Sequence, residues 1–444
     1  MTVAAASPTE AALENQRLGG LQLRVAALCM LVQICDGYDL NSVAWAVPSL
    51  IRQWHLPASM FTIAFLWSSV GIMVGALAAG PIGDRLGRRP LLLASLTIFG
   101  LASLLSAVAG SVAMLSMLRF CTGVGIGGGF SGAAALAGDY APHRLRATMI
   151  MATFTGAPLG GFLGGQIVAL LLAQFGWPMI FVLGGVFPLI LVPVLALWLP
   201  ESPRFLAVRQ NVSPRNAALL RRLDIAPAQG HAVDVAWGNP ILMLFGQGFA
   251  LQTLLLWIIY FCSLLNLFLF AYWMPTVLNL IGMSPAQAVF VSSLKDFGGI
   301  VAALYLGLAV DRIGPERTLA LHYAAGAVFI AMIALFALPY AMLCAITLLA
   351  GVTIIGSQTG ANGACGKLYP ARMRTSGLGW AFGIGRLGAI AAPVLGGYLL
   401  TLGLPPTRIF LSACVFALIA AAATALLAFR GSSVEPVGVE EVAH

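Results

Sequence analysis

The feature that most constrains this chain is a succession of apolar stretches repeated along its whole length. Each runs for roughly 20 residues, enough for a helix to cross a hydrocarbon core of ~30 Å. The spacing predicts helices over 22–48, 60–80, 91–110, 112–138, 148–172 and 178–199, then over 249–274, 286–309, 318–337, 340–363, 376–400 and 407–429. Only 9% of the residues are charged, against roughly 25% in a soluble domain, so water is not the solvent for most of the surface. The expected class is an all-α integral membrane protein with twelve transmembrane helices in two pseudo-symmetric six-helix bundles. Its divisions are a cytoplasmic tail over 1–21, a first bundle over 22–199, a polar linker over 200–248, a second bundle over 249–429 and a tail over 430–444. The linker carries Arg209, Arg215, Arg221, Arg222, Asp224 and His231.

A net charge of +8 would suit a nucleic-acid binder, but here it is arginine in short segments between helices, which is a topology signal. Among the 23 Lys and Arg, Arg119, Lys295 and Arg386 fall at membrane depth and Arg52 and Arg408 lie on the opposite side from the rest. The excess of positive charge predicts that both termini face the cytoplasm. The polar N-terminal segment, followed by a first helix with two aspartates, does not read as a signal peptide. The seven cysteines, from Cys29 to Cys414, lie in or at the ends of apolar stretches without a CxxC pair or histidines at ligand spacing. They read as small core residues, and neither a metal site nor a cofactor is expected beyond a coupling proton.

The two halves resemble each other at an offset of about 228 residues. Asp84-Arg85-Leu86-Gly87-Arg88-Arg89-Pro90 after the second helix pairs with Asp311-Arg312-Ile313-Gly314-Pro315-Glu316-Arg317 after the eighth. Tyr140-Ala141-Pro142-His143-Arg144 pairs with Tyr369-Pro370-Ala371-Arg372, and Ala157-Pro158-Leu159-Gly160-Gly161 with Ala392-Pro393-Val394-Leu395-Gly396-Gly397. Repeated halves place a small-molecule site near the bilayer midplane between them and imply alternating access.

These residues resemble the major facilitator superfamily over essentially the whole chain, most specifically through Gly80-x-x-x-Asp84-Arg85-x-Gly87-Arg88-Arg89. Pro200-Glu201-Ser202-Pro203-Arg204 is shared by several of its branches. Asp36-Gly37-Tyr38-Asp39 in the first helix, with Arg386 in Gly383-Ile384-Gly385-Arg386-Leu387-Gly388, looks like the aromatic-acid:proton symporters. Sugar porters usually lack the first aspartate and carry Pro-Glu-Thr-Lys-Gly where this chain has Arg430-Gly431-Ser432-Ser433. The resemblance implies secondary active import of an aromatic carboxylate such as benzoate or a hydroxybenzoate by proton symport, in a bacterial inner membrane, by a chain expected to be a monomer. Lys295-Asp296 departs from that family's pattern.

A charge at the bilayer centre costs roughly 2.5–3.5 kcal/mol, so each one marks a functional candidate. Six qualify: Asp36, Asp39, Arg119, Lys295, Asp296 and Arg386. Asp36 and Asp39, three apart, share a helix face, where each carboxylate raises the cost of ionising the other. The resemblance gives Arg119 a part in proton transfer beside them; a structural ion pair with either acid is the other reading. Arg386 and Lys295 are candidates for the substrate carboxylate, Arg386 having Asp296 as its alternative partner. Lys295 and Asp296, as neighbours about 100° apart on a helix, are expected to face different surroundings and to be neutralised from other helices. Three acids and three bases balance, so protonating one acid leaves a positive charge for an arriving anion.

Tyr38, Asn266, Tyr272, Gln358 and Asn362 complete the expected substrate site. Tyr38 or Tyr272 would clamp a ring, unless Tyr272-Trp273 belongs to an interfacial aromatic belt, and Gln358 and Asn362 share a face at i, i+4 spacing. Asp84, Arg85, Arg88, Asp311 and Arg312 are expected to latch one conformation from the cytoplasmic side. The competing functions are a proton-coupled exporter of drugs or aromatic metabolites, a sugar or organic-ion porter, and a transporter-like receptor. No nucleophile–base arrangement suggests an enzyme, and no nucleic-acid partner is expected.

Overall fold

A backbone N–H or C=O in hydrocarbon has no water to bond, so a membrane-crossing segment satisfies its own polar groups by forming a helix. The computed structural model, which describes residues 19–208, 214–223, 244–245, 249–368 and 371–431, meets that demand in all twelve expected stretches. They are α1 (Gly20–Trp54), α2 (Thr62–Leu86), α3 (Arg88–Ser106), α4 (Val112–Tyr140), α5 (Arg146–Phe154 with Gly156–Phe175) and α6 (Pro178–Trp198). The second set is α7 (Ala250–Leu280), α8 (Pro285–Ile313), α9 (Pro315–Leu335), α10 (Tyr340–Leu368), α11 (Ala371–Thr401) and α12 (Ile409–Gly431). Twelve helices are long and apolar enough to cross a membrane. Of the linker residues singled out above, Arg209, Asp224 and His231 lie outside the described residues.

Several helices run past their expected ends. α1 continues beyond Pro48, α2 beyond Pro81 and α7 beyond Pro275. A proline removes one helical hydrogen bond, and packed neighbours let a membrane helix continue through it. α5 does break, at Thr155, because Pro158 has no N–H to give the Phe154 carbonyl one turn back. Two helix starts carry serine caps: the Ser111 hydroxyl accepts from the Met114 N–H at the head of α4. Before α8, Ser284 and Gln287 exchange side-chain and backbone hydrogen bonds as a capping box.

The chain divides into two compact units, residues 1–235 with 278–293, and residues 236–277 with 294–444. Within the first unit α2 packs on α4, α3 on α4 and α6, and α1 on α4 and α5. Within the second, α9 packs on α10 and α12, α8 on α10 through Gly298 and Gly351, and α7 on α11 through Gly385 and Gly388. The internal sequence repeat therefore returns as a repeated set of helix pairings. Small residues bring these backbones together: a Cβ on Gly37 would stand 1.9 Å from the Ala157 carbonyl oxygen, and one on Gly160 the same distance from that of Ile34. Large apolar side chains point outward, Leu77, Leu170 and Leu304 being 69%, 76% and 78% exposed, as a surface solvated by lipid requires.

The two signature loops are shorter than their sequence suggests. Asp84, Arg85 and Leu86 form the last turn of α2, and only Gly87, at φ 106°, separates it from α3. Gly314, at φ 92°, does the same between α8 and α9. Both need a left-handed backbone that glycine adopts without a Cβ clash.

Candidate functional site

The first unit holds a closed polar knot. Arg119 of α4 and Asp39 of α1 form an ion pair at 3.1 Å, with both side chains 1% exposed. The second oxygen of Asp39 accepts from the Ser103 hydroxyl at 2.8 Å. Arg119 donates to the Ser42 hydroxyl at 3.2 Å and to the Ser106 hydroxyl at 2.9 Å, and its guanidinium lies 4.8 Å from the centre of the Phe181 ring. Two charges out of water are tolerated only with such additional donors and acceptors. The structural-pair reading of Arg119 thus names Asp39 as its partner. Ser42, Ser103, Ser106 and Phe181 were not singled out from sequence; their one legible signal was hydroxyls on α1 and α3 at helical spacing.

Asp36, one turn before Asp39, sits differently. It is 1% exposed, and neither carboxyl oxygen has a hydrogen-bond partner among the described residues. It faces α4 at Gly129, where a Cβ would lie 3.4 and 3.5 Å from the two oxygens. Tyr38 is buried inside the unit, donates its hydroxyl to the Ile180 carbonyl at 2.8 Å and meets Trp45 edge-on at 5.4 Å between ring centres. That phenol is occupied by structure.

In the second unit the neighbours Lys295 and Asp296 bond each other, Nζ to Oδ2 at 2.7 Å, both buried. The expectation that they face separate surroundings is corrected: the lysine stem spans four methylenes and bends across the 100° between adjacent positions. Asp296 is therefore not the partner of Arg386. Arg386, half-buried on α11, has no ion pair or side-chain hydrogen bond among the described residues. Tyr272 and Trp273 are both fully buried, and α7 runs on to Leu280, so they do not form an interfacial belt. Gln358 is half-buried with both amide atoms unpartnered. Asn266 lines a cavity of about 10 Å³ with Ser263, His322, Tyr323 and Thr353, the size of one water and too small for an aromatic acid. The side chain of Asn362 lies outside the described residues, as does that of Asp311.

At one end of the first unit, Asp84 pairs with Arg88 at 2.7 Å within the signature, while Arg85 is exposed. Arg312 in the second unit is exposed too. A second knot lies beside the first signature. Glu201 is buried and accepts from the backbone N–H groups of Arg88 at 2.8 Å, Arg89 at 3.2 Å and Ser202 at 2.8 Å. Its carboxylate thus caps the head of α3, where the helix dipole favours negative charge. Asp139 accepts from the Ser202 hydroxyl at 2.6 Å and meets Arg204 at 3.7 Å. Glu201 and Ser202 were read from sequence only as a shared motif.

The architecture and its buried ion pairs define a multi-pass membrane protein of transporter type, and comparison with known proteins agrees. The family model described as Major Facilitator Superfamily matches residues 29–258 and 256–441. The chain belongs to the major facilitator superfamily. It is 36% identical to the 4-hydroxybenzoate transporter PcaK of Pseudomonas aeruginosa, over 89% of this chain and 90% of that protein. It is 36% identical to a gallate transporter of Pseudomonas putida, over 88% of each, and 31% identical to the 3-(3-hydroxy-phenyl)propionate transporter of Escherichia coli, over 92% and 94%. Within the superfamily it stands with these aromatic-acid transporters. The fold is that of a D-xylose–proton symporter at a TM-score of 0.68 and 16% identity, covering 91% of this chain and 97% of that one. It also matches a bacterial homolog of the lysosomal transporter Spinster at 0.71 and 14%, covering 95% and 100%.

Proposed function

We propose that this protein imports an aromatic carboxylate of the benzoate or hydroxybenzoate class by proton symport, working by alternating access. The relatives' names support the substrate class, and the distribution of buried charge supports the coupling. Six Asp, Lys and Arg residues lie well inside the membrane-spanning helices. Four of them form ion pairs, Asp39 with Arg119 and Lys295 with Asp296. One acid, Asp36, and one base, Arg386, are left over, and that remainder is the observation that carries the reading.

An ionised carboxylate at Asp36 would be desolvated with no donor facing it, so this environment favours the neutral acid. Asp36 is the proton carrier in this reading, with Asp39 held by Arg119 as a fixed charge beside it. Arg386 keeps a planar fork of donors that fits a carboxylate through two parallel hydrogen bonds. Gln358 offers a donor and an acceptor for ring hydroxyls. With Asp36 protonated, the six groups carry one net positive charge, which the incoming anion cancels. Proton and substrate therefore bind best together.

The surrounding membrane is the bacterial inner membrane, both termini are cytoplasmic, and the working unit is a monomer. No group beyond the proton is required. The test is uptake of radiolabelled benzoate, 4-hydroxybenzoate and gallate into proteoliposomes under an inward proton gradient. Accumulation abolished by a protonophore and by Asp36→Asn is the expected result; gradient-independent equilibration of every acid would overturn the symport reading.

A further inference from the structure

Between α7, α9 and α10, inside the second unit, lies the cavity of about 10 Å³ whose polar lining is Ser263, Asn266, His322, Tyr323 and Thr353. Ser263, Asn266, Tyr323 and Thr353 are only 2%, 3%, 4% and 6% exposed, so bulk solvent does not satisfy them. Three of their polar atoms, Ser263 Oγ, Asn266 Oδ1 and Tyr323 OH, have no hydrogen-bond partner among the described residues. The Ser263 and Tyr323 hydroxyls face each other without closing a direct hydrogen bond. A buried polar group with nothing to bond is destabilising, and three such groups around one cavity point to a ligand that bonds them together.

The size of the cavity limits that ligand. A water molecule needs roughly 10–15 Å³ and two to four polar partners, and an organic molecule needs far more. The lining sets its charge. No acidic side chain lines the cavity among the described residues, and the His322 ring nitrogens are both engaged, with the Tyr305 hydroxyl and the Thr318 carbonyl. A neutral ligand is therefore favoured over an ion. Donors and acceptors then balance. Ser263 and Tyr323 each have a hydroxyl hydrogen to give. Asn266 Oδ1 and Thr353 Oγ1 each have a lone pair to receive, the Thr353 hydrogen being directed at the Ala350 carbonyl at 2.9 Å. Water accepts two hydrogen bonds and donates two.

We propose that this cavity binds one water molecule, which accepts from Ser263 and Tyr323, donates to Asn266 and Thr353, and so ties α7 to α9 and α10. The role of the water is to hold α7 in place. At 100° per residue, Tyr260 and Phe261 lie on the opposite face of α7 from Ser263 and Asn266. There they fill the space beside Gly385 and Gly388 of α11, the two glycines that flank Arg386. Asn266 thus bonds the water and not the substrate.

X-ray footprinting of the full chain tests the site. Radiolysis converts a bound water into a hydroxyl radical, which oxidises the side chain beside it, and mass spectrometry reads the rate at each residue. Tyr38 is the dry control: at 7% exposed it is more accessible than Tyr323, but its hydroxyl already bonds the Ile180 carbonyl. Tyr323, with water against its hydroxyl, is expected to be oxidised about tenfold faster than Tyr38. Asn266→Leu fills the cavity with apolar atoms and should bring the Tyr323 rate down to that of Tyr38. Thr353→Val keeps the shape and removes one acceptor; it should lower the rate as well, and it serves if Asn266→Leu does not fold. Equal rates for Tyr323 and Tyr38 in the wild type overturn the site, because a dry cavity protects the ring. A fast Tyr323 rate that persists in the folded variants overturns it too, because the radicals would then arrive from bulk solvent.

Discussion

Asp36 and Asp39 are the same residue type three positions apart, yet they live under different physics. Asp39 accepts from Arg119 and Ser103, whereas Asp36 meets Gly129 and no donor. Asp36→Asn is therefore expected to abolish proton-driven accumulation while leaving exchange of labelled for unlabelled substrate across the membrane, measured by counterflow. Removing a partner of the closed knot acts on the fold instead. Arg119→Met leaves Asp39 buried without its cation, at a cost of about 3–5 kcal/mol, and should lower the melting temperature of the purified protein. Asp36→Asn should leave it unchanged or raised. At Arg386 the demand is geometric. Arg386→Lys keeps the charge and loses the fork, so the substrate KM should rise about tenfold, equivalent to about 1.4 kcal/mol. Sequence alone marked all three residues, because charge in an apolar helix is conspicuous. It could not divide them into paired and unpaired.

At the scale of elements, the contacts that position these residues are between backbones. Gly37 lies beside Asp36 on α1, and its Cα side is filled by the Ala157 carbonyl of α5. Gly37→Ala must push the two helices apart, and a fall in melting temperature with loss of transport is the expected outcome. Gly383 on α11, with nothing within 4 Å of an added Cβ, is the control: Gly383→Ala should be neutral or stabilising by up to about 1 kcal/mol, the difference in helix propensity. The glycines themselves were readable as close-packing sites. Which helix each one admits was not, since the glycines of α4 turn to α2 at Gly123 and Gly127 and to α3 at Gly125. α1, α2 and α7 run on through Pro48, Pro81 and Pro275, because a single lost hydrogen bond does not end a helix whose neighbours hold it.

For the molecule as a whole, transport depends on two six-helix halves exchanging conformations, and substitutions remote from substrate act through that balance. Glu201 joins the end of α6 to the start of α3 through the backbone N–H groups of Arg88 and Arg89. Glu201→Ala exposes those N–H groups and weakens the join, so the uptake rate is expected to change while substrate affinity in a binding titration stays within about twofold. A change in affinity as large as that of Arg386→Lys would place Glu201 in the substrate site and contradict this assignment.

What the sequence determined by itself was the solvent, the number of spans, the internal repeat and the family, because hydrophobic length and motif spacing are properties of the chain read in one dimension. It also located each buried charge on its helix. Only the tertiary structure decided which charges meet. Lys295 reached its neighbour because a flexible stem can bend where a helical wheel places the two residues apart. Arg119 chose Asp39 over Asp36 because Ser103 and Ser106 of α3 and Phe181 of α6, with Ser42 of α1, surround that pair. Pairing depends on distances of 3 Å between segments far apart in sequence, and no periodicity encodes those.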